Sequence, residues 1–156
     1  MTVNIERVTD VDAVFATLAT LLEELHEHHQ AWWPREFVPD WRQRWRQYLK
    51  SSAERCILIA RDRGEPIGYV NGTIRRDPSL FVESFGYIDD AFVRVSERRH
   101  GVGAMMLADF EAWCGSKGID EIRLGVVAEN AIGLGFWRKS GFRPLAYTMT
   151  KRLPAP

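Results

Sequence analysis

The stretch "SERRHGVGAMM", residues 96–106, sets three basic or potentially basic side chains, Arg98, Arg99 and His100, directly before two glycines, Gly101 and Gly103. A run with the spacing of a buried helix follows. Unpaired N–H groups at a helix start are donors, and the helix dipole adds positive potential there. Glycines at that point let the backbone close on a ligand, so the chemistry on offer is the binding of a phosphate or pyrophosphate. Just upstream, "FGYIDDAFVRV" puts two carboxylates, Asp89 and Asp90, inside an apolar run. A carboxylate on an apolar face has a raised pKa, which suits a general base. In strict alternation Asp89 shares a face with Phe85, Tyr87, Ala91, Val93 and Val95, and Asp90 shares the other with Ile88, Phe92 and Arg94. A bulge in the strand swaps these faces. Both features also have plainer readings: a tightly packed helix start, and aspartates that cap or pair.

These residues need elements to position them. "VNIERV" alternates as a strand, and Thr9 or Asp10 can cap a helix over residues 10–28 with Val11, Val14, Phe15, Leu18, Leu22 and Leu25 on one face. "HEHHQAWWPREFVP" ends it, and a second helix is expected over 40–52, with Trp41, Trp45 and Tyr48 or Leu49 on one side. "CILIA" is a continuous apolar run, as in a strand covered on both faces. "RDRGEP" turns it into "IGYVNGTI", a hairpin partner, and "RRDPSL" reads as a loop. "FGYIDDAFVRV" is the third long strand of this region. The helix opened by the glycines runs to about Lys117, with Val102, Met106, Phe110 and Trp113 as its buried stripe and "GSKG" as its stop. "EIRLGVV" is a strand, "NAIGLGFWRKS" a short helix and "GFRPLAYTMTKRL" a final strand. The expected order is β-α-α-β-β-β-α-β-α-β, an α/β (α+β) chain with no internal linker or repeat, one domain over 1–156.

Composition narrows the function. The chain has 156 residues, 46% hydrophobic and 27% charged, with 21 Lys+Arg balancing 21 Asp+Glu. No global basic field exists to draw in nucleic acid or an anionic membrane, so an anion site must be local. No apolar stretch is long enough to span a bilayer, and "MTVNIERV" lacks the apolar core of a signal peptide. Cys56 and Cys114 have no metal or redox spacing and read as buried free thiols of a reducing compartment, which points to the cytoplasm. The Gly-x-Gly is neither a P-loop, since no Gly-Lys-Ser/Thr follows, nor a dinucleotide fingerprint, since the third glycine is missing. "HEHH" can place His26 and His29 on one helix face, but no ligand set of known geometry accompanies it, and no metal is expected. A solvated helix end with cations near its negative pole is the stronger reading.

Taken together, "RRHGVG" resembles the Arg/Gln-x-x-Gly-x-Gly/Ala motif of the GNAT superfamily of N-acetyltransferases. "IDDAFVRV" looks like that family's fourth strand, and "VAENAIGLGFWRKSGF" resembles its second signature, an asparagine, an aromatic pair and Gly-Phe. The element order agrees over nearly the whole chain. The resemblance implies a single domain whose mixed, mostly antiparallel sheet of about six strands is flanked by about four helices. It implies acetyl-CoA as co-substrate. Backbone N–H groups from Arg98, Arg99, His100, Gly101, Val102 and Gly103 would cradle its pyrophosphate. Val93 and Val95 would pair with the pantetheine arm, and Asn130 would bind the arm's end, with Phe136 beside it. Strands four and five would splay apart to admit the arm.

The implied reaction is attack by a neutral amine on the thioester, which requires a base for the amine proton and a donor for the oxyanion. The backbone N–H of Val93 is the expected donor. For the base, the family's acidic pair in polyamine-type members favours the first acid, Asp89, over Asp90. Trp137 stands where the family usually carries a tyrosine proposed to protonate the leaving thiolate. An indole N–H only donates hydrogen bonds and is no acid at working pH. Tyr147, Tyr87 and Ser140 are the other candidates. In this fold the segment after the first helix borders the acceptor pocket, so His29, Trp32, Trp33 and Phe37 are candidate lining residues for an amine held by cation–π contacts. The expected acceptor is a small-molecule or protein amine. Dimers are common in the family, which leaves a homodimer open. The alternative reading is a catalytically weak acyl-CoA-binding module of the same fold.

Overall fold

Asp10 starts the first helix: its Oδ1 accepts from the N–H groups of Asp12 at 3.0 Å and Ala13 at 3.4 Å, satisfying two otherwise orphaned donors. The computed structural model describes residues 1–77 and 80–156. In chain order the elements are β1 (Val3–Arg7), α1 (Val11–His29), α2 (Trp41–Lys50), β2 (Arg55–Asp62), β3 (Glu65–Asp77), β4 (Glu83–Val93), a 3₁₀ turn (Val95–Glu97), α3 (Val102–Ser116), β5 (Ile122–Leu124) and α4 (Ala131–Lys139). The contacts group the chain into two units, Met1–Gly125 and Val126–Pro156.

The first unit holds a sheet of order β1-β2-β3-β4-β5. β1 to β4 pair antiparallel. The β2–β3 hairpin closes on Arg63 and Gly64, both at positive φ, the backbone that a two-residue primed turn demands. β3 continues through Arg75 and Arg76 to Asp77, so the loop expected over "RRDPSL" begins later than its composition suggested, and residues 78 and 79 of it lie outside the described residues. β5 pairs with β4 in parallel, over Gly86↔Ile122, Tyr87↔Arg123 and Ile88↔Leu124 only. Among the described residues this ladder does not continue past Ile88, since β5 ends at Leu124.

Both faces of the sheet are covered, which is why every residue of Cys56–Ala60 is buried. On one face Leu18, Leu21 and Leu25 of α1 and Leu49 of α2 pack with Ile57, Ile59, Tyr69 and Phe92. On the other lies α3. A Cβ on Gly72 would stand 2.6 Å from the Phe110 ring, so this glycine lets α3 approach the sheet. α3 stops in a Schellman motif: Gly118, at φ 73°, donates to Gly115 O and Ile119 donates to Cys114 O, both at 3.0 Å. Cys56 and Cys114 are free and buried, and burial pushes each thiol up to about 11. Among the described residues no helix is long and apolar enough to cross a membrane.

In the second unit Asn130 caps α4, its Oδ1 accepting from Gly133 N at 2.9 Å. The sixth strand expected over "GFRPLAYTMTKRL" is not formed; among the described residues the sheet has five strands. A strand exists through its partner's hydrogen bonds, and among the described residues the backbone donors of this segment, Gly141 N to Arg138 O and Phe142 N to Trp137 O, turn back to α4 rather than to a strand.

Candidate active site

α3 opens without a side-chain cap. Its N-cap is Gly101, at φ 80°, and Arg99 just before it is also left-handed, at φ 67°. The first helical bond into this turn is Met105 N to Gly101 O, at 3.0 Å. The N–H groups of Val102, Gly103 and Ala104 are thus left without helical partners, and no cap side chain takes them. The Val102 side chain is buried and anchors the turn, while Arg99 and His100 are exposed. Unpaired backbone donors at a helix start are the groups that suit an anion. The Arg98 side chain turns back to the end of β4. Its Nε donates to Val93 O at 2.9 Å, its guanidinium lies 5.9 Å from the Phe92 ring, and burial lowers its pKa.

β4 ends at Val93, and Val95 begins the 3₁₀ turn with its side chain 67% exposed. The strand expected to run through Val95 is therefore shorter. Arg94 explains the end: its N–H still reaches Ile67 O at 2.9 Å, and its guanidinium makes two bonds to Glu24 of α1, at 2.9 and 2.7 Å. Because Arg94 N–H points to β3, strand alternation turns the Val93 N–H to the opposite edge, the one β5 has left.

The acidic pair sits on a β-bulge. Asn71 pairs with Asp90 and Gly72 with Ile88, so Asp89 is the extra residue. Strict alternation therefore fails here, and both carboxylates reach partners on the α1/α2 face. Asp89 is not on an apolar face, contrary to the alternation. It takes bonds from Arg55 Nη1 at 3.3 Å, Arg75 Nη2 at 3.1 Å and Tyr48 Oη at 3.2 Å. Asp90 takes one, from Asn71 Nδ2 at 2.9 Å. Desolvation pushes the Asp90 carboxyl up to about 6; the Asn71 bond opposes this, the Asp89 charge adds to it, and Arg55 opposes it. The environment expected for Asp89 belongs to Asp90. Beside it the Tyr69 hydroxyl is buried, and burial followed by the Asp90 charge raises its pKa well above the ordinary tyrosine range.

Arg55, Asn71 and Tyr48 escaped the sequence reading. The signal was there in part: Asn71 interrupts the strand "IGYVNGTI" and Arg55 abuts "CILIA", and a polar group in a covered strand needs a partner. Which partner depends on register.

The end of α1 also differs from a row of solvated cations. Burial lowers the pKa of His28, with Arg98 adding to the effect, and burial lowers that of His29, with His28 and Arg35 adding. His26 packs on Phe37 at 4.1 Å and bonds to Gln30, Phe37 stacks on Trp41 at 4.3 Å, and His28 meets Trp32 edge-on at 5.1 Å. Trp33 is exposed under Arg35. Among the described residues no group of three His, Cys, Asp or Glu comes together as a metal site. A cavity of about 290 Å³ opens by this helix end, lined by Glu24, Glu27, His28, Phe92, Arg94 and Val95. In the second unit Trp137 is half-buried between Phe136, at 4.9 Å, and Phe142, at 5.3 Å. Of the other thiolate-acid candidates, Tyr147 is exposed, Tyr87 lies under Arg75 at 3.6 Å and Ser140 donates to Phe136 O at 2.9 Å.

Comparison with known proteins follows the same lines. The family described as "Acetyltransferase (GNAT) family" matches residues 19–142. A comparison with curated proteins finds no match. Among solved structures, the BH1408 protein from Bacillus halodurans superposes with a TM-score of 0.83 at 22% identity, covering 96% of this chain and 99% of that one. The aminoglycoside N-acetyltransferase AAC(6')-Iy, in complex with a bisubstrate analogue of CoA, gives 0.71 at 20%, covering 99% and 100%. The aminoglycoside acetyltransferase meta-AAC0020 from an uncultured soil metagenomic sample, in complex with sisomicin, gives 0.74 at 18%, covering 97% of each chain.

Proposed function

The chain belongs to the acetyltransferase (GNAT) family, enzymes of acetyl transfer, and from that premise we propose that it acetylates the primary amine of a small molecule, or an exposed protein amine, with Asp90 as the base. The observation that carries this reading is the crowded carboxyl of Asp90, poised near neutrality on a bulge beside the free edge of β4.

The residues present fit acetyl-CoA. The uncapped N–H groups of Val102, Gly103 and Ala104 suit its pyrophosphate, with Arg99 and His100 exposed beside them. The β4 edge at Val93 suits its pantetheine arm. When bound, acetyl-CoA supplies the activated acetyl group as a thioester. Asp90, ionised above a pH of about 6, takes the proton that the attacking amine must lose. The outward N–H of Val93 is aimed to donate to the carbonyl oxygen as it gains charge. Trp137 packs and does not titrate, so solvent is the proton source for the departing thiolate.

A small amine acceptor suits the cavity beside α1, which carries Glu27 next to the Arg94–Glu24 ion pair. The aminoglycoside enzymes of the same fold support a small-molecule amine. The buried free cysteines support a reducing, cytoplasmic setting.

Release of free thiol from acetyl-CoA, measured over a panel of polyamines, aminoglycosides, amino acids and N-terminal peptides, tests the reading. Turnover with at least one class is expected. Acetyl-CoA binding with no turnover on any amine would leave an acyl-CoA-binding module instead.

A further inference from the structure

Asp90 does not hold its geometry alone. Asn71 lies opposite it across the β3–β4 pair and is fully buried. The Asn71 amide is bonded at both ends: its Nδ2 donates to Asp90 Oδ2 at 2.9 Å, and its Oδ1 accepts from Arg55 Nη1 at 2.7 Å. The Arg55 side chain is 4% exposed. It is pinned in turn by Asp89 Oδ2 at 3.3 Å and by the Tyr48 ring, 4.3 Å beneath its guanidinium.

An arginine has donors and no acceptor. Its bond to Asn71 Oδ1 therefore allows only one orientation of the amide, the one that turns the NH₂ toward Asp90. An NH₂ can only donate, so Asp90 Oδ2 must accept, and the bond favours the ionised carboxylate against its burial. The other oxygen, Oδ1, takes no hydrogen bond from a described residue, and Asp90 keeps a partly exposed surface.

We propose that Arg55 and Asn71 are positioning residues: a two-step relay, anchored by Asp89 on the bulge, that fixes one oxygen of Asp90 and presents the other to the amine. Neither residue touches substrate. The proposal rests on Asp90 being the base. It also assigns Asp89 a different task from base, that of neutralising the buried guanidinium. The charged and titratable groups facing Asp90 are Asp89 on its own strand, Arg55 on β2 and Tyr69 on β3, with Tyr48 of α2 acting through Arg55 and Asp89.

The test pairs a direct titration with kinetics. The Asp90 carboxyl is followed by carbon NMR against pH in the wild type, Asn71→Leu, Arg55→Met and Arg55→Lys, and the pH profile of kcat is recorded for each. Both Asn71→Leu and Arg55→Met are expected to raise the Asp90 pKa by about one unit, lowering kcat up to about tenfold below pH 6, with KM for acetyl-CoA unchanged. Arg55→Lys keeps a donor for Asn71 Oδ1 and is expected to restore most of the wild-type pKa. Near-ultraviolet circular dichroism reports whether each variant is folded; should Asn71→Leu unfold, the Arg55 pair carries the test. An unmoved Asp90 titration in folded Arg55→Met overturns the relay. A titration that moves while the acidic limb of kcat stays fixed overturns Asp90 as the base and leaves the relay as a structural device.

Discussion

Two regions of the first unit prepare the chemistry, and they are built from different materials. The Arg98–Gly103 loop is made of backbone: two left-handed residues, an N-cap without a side chain, and three N–H groups left over at the first turn of α3. The Asp89–Asp90 bulge is made of side chains drawn from β2, β3, β4 and α2. A backbone site tolerates change at most side chains and fails at its glycine. A side-chain site fails wherever one partner is lost, because buried polar groups are costly to leave unpaired.

The largest effect that separates the two regions is on rate. Asp90→Asn is expected to lower kcat by about 10²–10⁴-fold with acetyl-CoA affinity unchanged, measured by thiol release and by isothermal titration. With Asp90 as the proposed base, working ionised, activity is expected to fall as pH drops through about 6. A near-normal rate for this variant would break the comparison at its acidic end.

The same substitution has a second consequence, of opposite sign. The folded pKa of Asp90, about 6, lies above its ordinary 3.8. Between those values the folded state binds more protons than the unfolded one, so stability falls as pH rises through the interval. Asp90→Asn removes that loss and is expected to stabilise the protein at pH 7 by an amount on the order of 1–3 kcal/mol. The gain should vanish below about pH 4, which urea melts at the two pH values would check. An active site that costs stability is the usual trade.

Gly101→Val probes the other region. A β-branched residue is strained at φ 80° by about 1–2 kcal/mol, so acetyl-CoA binding should weaken by about tenfold while the pH profile stays put. A shifted profile would mean that the regions are not separable. The smallest effect is expected at Trp137→Phe, where packing against Phe136 and Phe142 is retained and kcat stays close to wild type. A large loss there would give the indole N–H a role in the reaction.

The comparison also explains what could be read in advance. Gly101 and Gly103 after a strand and before an apolar 3.6-residue period announce a backbone anion site, because glycine spacing and helix starts are local properties. The acidic pair was visible as a pair, but its members exchanged environments. Alternation put Asp89 among apolar neighbours, and the bulge inserted it instead between Arg55 and Arg75 and left Asp90 the crowded one. A one-residue change of register reverses every face downstream. Similarly, the histidines after Leu25 suggested cations at a helix end, and burial, with the nearby Arg98 charge adding to it, lowered the pKa of His28 and His29.

The sequence alone determined the order of the elements from β1 to α4, the glycine-opened turn, the family signature and the presence of two acids before Val93. Each is set by residues close together in the chain. Tertiary structure alone decided which acid is buried, what fixes it, where Arg98 points and that "GFRPLAYTMTKRL" lies unpaired. Each of those depends on a partner from a distant strand or helix, and a distant partner is chosen by register and packing rather than by local spacing.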